Sequence, residues 1–301
     1  MAKVAIIGLS GESIFLSMDS LPKPGVTTHA THYHIEPGGK GYNQAVACKK
    51  MGIEVSYLTK VGMDTYGKYC EEYMNNLGIR SFFVKDNQEH TALATILTDN
   101  TGENEVIVYP GASSTLCTKD VESFEKEIIS AEVLVLQYEL PLDVIEKAIQ
   151  IAKKNNTIII LNPAPAIYLD SAMLEKADIV TPNFEEAKKL YQLSSDITIK
   201  ELGQILQERI NNQLIITLGK EGSVYIKKGY YQYYPSIKVK ALDTTGAGDV
   251  FNAGIATNIA FGKSMEEAIQ FATLASGISV TKKYVMDAIP TIEEIKENNK
   301  G

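Results

Sequence analysis

The sequence has no apolar run long enough to cross a bilayer: stretches such as ThrIleIleIleLeu at 157–161 fall far short of the roughly 20 residues a span needs. It also has no cluster of Lys and Arg. With 29 Lys plus Arg against 37 Asp plus Glu and a net charge of -8, it offers no electrostatic footprint to a nucleic-acid backbone or an anionic membrane, so any phosphate must be bound locally. Cysteine is scarce. Cys48, Cys70 and Cys117 are odd in number, far apart and without metal-site spacing, which reads as reduced core thiols without a disulfide framework. Low-complexity tracts and repeats are absent too, and a 45% hydrophobic composition excludes disorder. The first apolar run, Val4–Ile7, is too short for a signal peptide and has no cleavage site after it, so a cytoplasmic location is expected.

What is present is an alternation of short apolar runs with helical periods. Val4 to Gly8 reads as a buried strand, Gly41 to Met51 as a helix stopped by Gly52, Val55 to Thr59 as a strand, and Thr65 to Leu77 as a helix closed by Gly78. The unit recurs after residue 118, with a helix to Ile129, a strand Val133 to Gln137, a helix Leu142 to Lys154 and a strand Thr157 to Leu161. Helices Glu185 to Tyr191 and Lys200 to Ile210 and a strand Leu214 to Thr217 follow. This pattern predicts an α/β fold with a doubly wound, mostly parallel sheet flanked by helices, in one domain over 1–301. Segments 14–35 and 91–108 alternate with period two instead. They are expected to form a small antiparallel β lid, the alternative being an extra edge on the main sheet.

Two glycine turns carry the candidate chemistry. AspThrThrGlyAlaGlyAsp at 243–249 precedes an unbroken helical pattern, so Gly246 to Gly248 stand at a helix N-terminus whose outward N–H groups and dipole suit a phosphoryl group. Asp249, in the first turn, faces the same point and can take a hydroxyl proton; the bland alternative is an Asp that merely complements the dipole. GlyGlyLysGlyTyrAsn at 38–43 offers close backbone approach, a cation in Lys40 and an amide in Asn43, which fits a polyhydroxylated or anionic ligand, or else is a turn with a solvated Lys. The nucleotide motifs fail: Gly262-Lys263-Ser264 has Thr257 where a P-loop needs Gly, and Phe251 breaks GxGxxG. His32 and His34 share a strand face but lack a third ligand, and the tyrosines at 230–234 read as strand surface or as a stack for adenine.

Together these stretches, with GlnTyrGlu at 137–139, LeuAsnProAlaProAla at 161–166, ThrProAsnPheGluGluAla at 181–187 and ThrLeuGlyLysGluGly at 217–222, resemble the ribokinase-like (PfkB-type) carbohydrate kinase family from about Gly8 to Pro290. The resemblance implies a ribokinase-like fold and ATP-dependent phosphoryl transfer to a primary sugar hydroxyl, ribose first. The alternatives are a nucleoside or another sugar as acceptor, or a non-catalytic sensor on the same fold. It implies Asp249 as catalytic base and Gly246, Ala247 and Gly248 as anion hole. Gly39, Lys40, Asn43 and Glu139, with Gly11 and Ser13, are implied to hold the sugar. Asn183, Thr217, Gly219, Gly222, Gly248 and Thr273 are implied to hold ATP, and Glu186 to hold Mg2+ through water. Asp243 and Thr245 match part of a monovalent-cation site, but Tyr284 and Ala288 stand where the family tends to have Gly and Ser, which argues against potassium. Ser13 replaces the family's aspartate, with Glu12 as a substitute if the register shifts, and Tyr42 replaces a small residue and is expected to narrow the pocket or stack on a base. A homodimer through the lid is the implied assembly.

Overall fold

In a computed structural model, residues 3–101, 104–166 and 171–299 are described. The chain runs β1 (Lys3–Ile7), β2 (Gly11–Ser17), β3 (His32–Gly38), α1 (Lys40–Lys50), β4 (Glu54–Gly62), α2 (Thr65–Asn76), β5 (Arg80–Asp86), β6 (Ala92–Thr98) and β7 (Asn104–Tyr109). It continues through α3 (Thr118–Ser123), α4 (Glu125–Ile129), β8 (Val133–Gln137), α5 (Leu142–Lys154), β9 (Ile158–Asn162), α6 (Ser171–Glu175), β10 (Ile179–Val180), α7 (Phe184–Leu190) and α8 (Ile199–Arg209). Last come β11 (Gln213–Thr217), β12 (Gly222–Lys227), β13 (Tyr230–Pro235), α9 (Ala247–Ala260), α10 (Met265–Ser279) and α11 (Ile292–Asn298).

Nine strands form one sheet in the order β13-β12-β11-β10-β9-β8-β1-β4-β5, parallel from β5 to β11 and closed by an antiparallel β12-β13 edge. Apolar clusters fill both faces, as a doubly wound sheet requires. The strand order turns around at β1: the chain first adds β4 and β5 on one side, then β8 to β11 on the other. Ligands bind outside the carboxyl ends of strands at such a switch point. Gly8 follows β1, Gln137 ends β8 and Glu139 lies two residues beyond it, at this place.

Segments 14–35 and 91–108 do leave the main sheet. They make a four-stranded sheet, β3-β2-β6-β7, whose two hairpins are antiparallel and meet through a parallel β2-β6 pair. Its strands begin earlier and end later than the alternation suggested, at Gly11 and at Gly38, while residues 19–31 form no strand. The expected helix up to Ile129 is broken at Phe124, and Cys117, which caps its start, is exposed, so only Cys48 and Cys70 are core thiols.

Small residues bring the site-bearing helices close. A Cβ on Gly8 would stand 2.6 Å from the Cα of Gly41, so the first turn of α1 lies directly on the end of β1. Helix α9 is apolar all round and almost wholly buried between α1 and α10, which makes its N-terminus a fixed point of the core.

Candidate active site

Three chain segments converge at the switch point. Gly39, with φ 111°, turns the chain from β3 into α1, and the Lys40 N–H donates to Glu139 Oε2 at 2.9 Å. Gly246, with φ 74°, turns it into α9 and places Asp249 in the first turn, 7% exposed. Asn43 Nδ2 donates to Asp249 Oδ2 at 2.8 Å, and Gln44 Nε2 donates to Asp249 Oδ1 at 3.0 Å. Asp249, Lys40, Asn43, Glu139 and the 246–248 turn are therefore one constellation, although they come from three parts of the sequence.

Its charges are unbalanced toward acid. Burial pushes the Asp249 carboxyl up, opposed by the Lys40 charge and by the Asn43 and Gln44 amides. Burial likewise raises Glu139 to about 7, against the pull of Lys40 and its N–H, and raises Glu186. Burial pulls Lys40 down, but Asp249, Glu139 and Glu186 outweigh it and hold the ammonium above its ordinary value. Lys40 thus serves three carboxylates, with Lys189 adding only to the field at Glu186, which suits a site awaiting further positive charge.

Beside this centre lies a cleft of about 490 Å³ that brings together Thr217, Gly219, Gly222, Gly248 and Thr273, all expected on the nucleotide side. Asn183 stands at its rim: it bridges to Thr217 and caps α7, exchanging 2.8 Å hydrogen bonds with Glu186 in both directions. That capping box takes Glu186 Oε2 and leaves Oε1 outside it. Thr273 Oγ1 and Asn43 Oδ1 are buried without a partner among the described residues, so each has hydrogen-bonding capacity for a ligand. The residues present thus fit a nucleotide with magnesium. The tyrosines of β13 do not line this cleft: Tyr230 and Tyr233 are exposed edge-strand surface as expected, whereas Tyr234 is buried in the core and Tyr231 packs against it.

Two expectations are corrected. Tyr42 does not reach the pocket: it is fully buried in the core, its hydroxyl donates to the Cys70 carbonyl at 2.8 Å, and its ring packs edge-on against Tyr57. Glu12 does not replace the missing aspartate, because the β2 register puts it on the opposite face from Ser13, in the field of Asp64 at the start of α2. Ser13 keeps the site-side face, its Oγ 2.3 Å from where a Cβ on Gly38 would stand, and Gly11 is covered by Ala92.

The 282–288 turn, in turn, is held by protein groups. Asp243 accepts from the Thr245 N–H at 2.9 Å and the Tyr284 N–H at 3.0 Å, using both oxygens. Glu36 of the lid accepts from the N–H groups of Val285 and Met286 at 2.8 and 3.1 Å, and Lys50 Nζ donates to the Met286 carbonyl at 2.6 Å. Tyr284, at φ 64°, stacks on His34 with ring centroids 3.8 Å apart. Asp243 is engaged as a strut, and Ala288 contributes a buried methyl where the resemblance places a hydroxyl, so the side-chain donor set for a monovalent cation is incomplete.

A set of buried amides escaped the residue-by-residue reading. Gln137 donates to Gln44, Gln44 also reaches Asn162, Asn162 donates to the Thr181 carbonyl, and Asn252 donates to the Gly248 carbonyl at 2.8 Å. The visible signal was amides inside apolar runs, as in ValLeuGln and LeuAsnPro.

A buried carboxylate under a glycine-rich helix N-terminus, with a lysine and a nucleotide-sized cleft on either side, is the arrangement of a phosphoryl-transfer enzyme. The chain belongs to the pfkB family of carbohydrate kinases, whose model matches residues 1–292. It is 35% identical over 297 residues to Haemophilus influenzae ribokinase, covering 98% of this chain and 97% of that one. It is 30% identical over 298 residues to a Salmonella typhi deoxyribokinase, covering 98% and 97%. The solved structure of Arabidopsis thaliana ribokinase complexed with ribose and ATP superposes with a TM-score of 0.91 at 26% identity, covering the whole of both chains.

Proposed function

We propose that the protein transfers the γ-phosphoryl group of ATP to the primary hydroxyl of ribose, giving ribose 5-phosphate and ADP. The observation that carries this reading is Asp249, buried at the head of α9 with both oxygens held by α1 amides. The relatives named ribokinase, and the neighbour complexed with ribose and ATP, support the acceptor.

In this reading Asp249 takes the proton of the acceptor hydroxyl as its oxygen bonds to the γ-phosphorus, and the bond to the β–γ bridging oxygen breaks to release ADP. The N–H groups at 246–248 and the Lys40 ammonium stabilise charge on the moving group, where positioning and electrostatics supply most of the rate. Glu186 would hold a magnesium ion through water, and the ion would supply neutralisation of phosphate charge. Asn43 Oδ1 and Glu139 receive sugar hydroxyls, and the lid excludes water that would otherwise compete as acceptor.

A second acceptor is favoured by one observation. Ser13 brings no carboxylate to the site-side face, so a sugar with fewer hydroxyls, or a different one, loses less here than in a site built around aspartate. The nucleoside alternative loses one of its two supports with Tyr42 buried in the core. Turnover of ribose, 2-deoxyribose, other pentoses, hexoses and nucleosides, followed as ADP release with magnesium ATP, decides among them. Ribose is expected to give the highest kcat/KM, with equal rates in sodium and potassium buffers; no turnover of any acceptor would refute the kinase reading for this chain.

The lid face turned from the body carries exposed Tyr33, Ile35, Ile107 and Tyr109, a continuous apolar surface by register. A second copy of the chain pairing through this face accounts for it. Sedimentation velocity is expected to show a dimer that Ile107→Lys dissociates; a monomeric parent protein would end the proposal.

A further inference from the structure

The amides behind Asp249 form a device that the phosphoryl-transfer scheme does not use. Gln44 and Gln137 are both 0% exposed. Gln137 Nε2 donates to Gln44 Oε1 at 2.7 Å, and Gln44 Nε2 donates to Asp249 Oδ1 at 3.0 Å. An amide whose oxygen already accepts a hydrogen bond cannot flip without losing it, and Gln44 Nε2 also donates to Asn162 Oδ1 at 3.3 Å, so Gln137 and Asn162 together favour the orientation in which the Gln44 nitrogen faces the carboxylate; Gln137 Oε1 has no partner among the described residues. Space for this is built in: a Cβ on Gly8 or Gly41 would stand 2.9 or 2.7 Å from Gln137 Oε1. Gly8, after β1, and Gly41, in α1, therefore both make room for the Gln137 side chain.

We propose that Gln44, locked in orientation by Gln137, is a positioning residue that fixes the carboxylate plane of Asp249 for proton transfer from the acceptor. Asn43 holds the other oxygen from the same helical turn, so the two donors define that plane together. The inference rests on the reading of Asp249 as base. Facing Asp249 are Lys40 from α1, which favours its charge, and Glu139 after β8 and Glu186 on α7, which oppose it. Against burial and those carboxylates, a lost amide donor leaves the ionised carboxylate less supported, and the acid limb of activity should move up in pH.

The test uses Gln44→Met and Gln137→Met, which keep length and lose the donor, and Gln44→Glu, which sets a like charge against Asp249. For Gln44→Met the expected result is a kcat lower by about 10- to 100-fold, the effect of one hydrogen bond to a charged group. Its KM for ATP should be unchanged and the acid limb of kcat displaced upward. Gln137→Met should shift the limb less, and Gln44→Glu more. A thermal-unfolding midpoint for each variant identifies those that fold. Folded variants with the parental kcat and limb would overturn the proposal, as would a loss uniform across pH, which is what loosened packing gives. Asp249→Asn is the separate arm: if it retains full activity the base reading fails, whereas if it is inactive beside unaffected Gln44 and Gln137 variants only this inference fails.

Discussion

Asp249→Asn is expected to lower kcat by at least about 100-fold while leaving ATP affinity within about two-fold, because a positioned general base contributes on the order of 10²–10⁴. The substitution is isosteric, so the helix and its turn persist. What changes is the chemistry of the two oxygens. Asn43 and Gln44 both present N–H donors, and asparagine offers one oxygen and one donor in their place. One of the two amides must then face another N–H group, and no orientation of the new side chain accepts a proton from a hydroxyl. The nucleotide cleft lies on the other side of the 246–248 turn and is lined by Thr217, Gly219 and Thr273, so its occupancy should be nearly indifferent to the change. Steady-state ADP release with a saturating acceptor, alongside ATP titration by calorimetry, separates the two quantities. Near-normal turnover would remove Asp249 from the role of base.

The elements that were legible are those whose signal is local. Strand Val133–Gln137 and helix Leu142–Lys154 were readable to the residue, since an unbroken buried run and a 3.6-residue period each occupy a single window. Strand β5 was not, because ArgSerPhePheValLysAsp at the sheet edge is half-exposed and has neither a continuous apolar run nor strict alternation. The parallel join of β2 to β6 was also invisible: it pairs residues about eighty positions apart, and no local pattern records a partner. Tyr42 shows the same limit within one helix turn. Its neighbour Asn43 faces the site, but successive residues on a helix point about 100° apart, and that rotation carries the tyrosine into the core. The base, the anion-hole turn and the lysine were readable because glycine, aspartate and lysine at a helix start have direct chemical meaning. Gln44 and Gln137 have meaning only once Gly8 and Gly41 are seen to make space between them, which is a property of packing and not of residue type.

Gly246→Ala is expected to reduce kcat by about 100-fold or more and to destabilise the fold, and the two effects have one cause. At φ 74° an L side chain is strained by about 1–2 kcal/mol, and the new Cβ would stand 2.7 Å from Val285 Cγ1. Val285 cannot simply retreat: its N–H is held by Glu36 and the neighbouring Tyr284 N–H by Asp243, so lid strand β3 and the 243–245 loop both pin the segment it belongs to. The turn must shift instead, taking the N–H groups at 246–248 away from where the phosphoryl charge develops; losing one such donor costs on the order of 10²–10³ in rate. Gly248→Ala is the comparison that separates chemistry from folding. Its added methyl meets nothing within 4 Å, and its backbone is helical, so thermal stability should match the parent while the methyl stands at the cleft wall and impedes nucleotide approach. Unfolding midpoints are therefore expected to fall for Gly246→Ala alone, kcat to fall most for Gly246→Ala, and KM for ATP to rise most for Gly248→Ala. If Gly246→Ala turned over like the parent, the helix N-terminus would not be where the phosphoryl group is stabilised, and Lys40 would have to supply that stabilisation from the opposite side of the site.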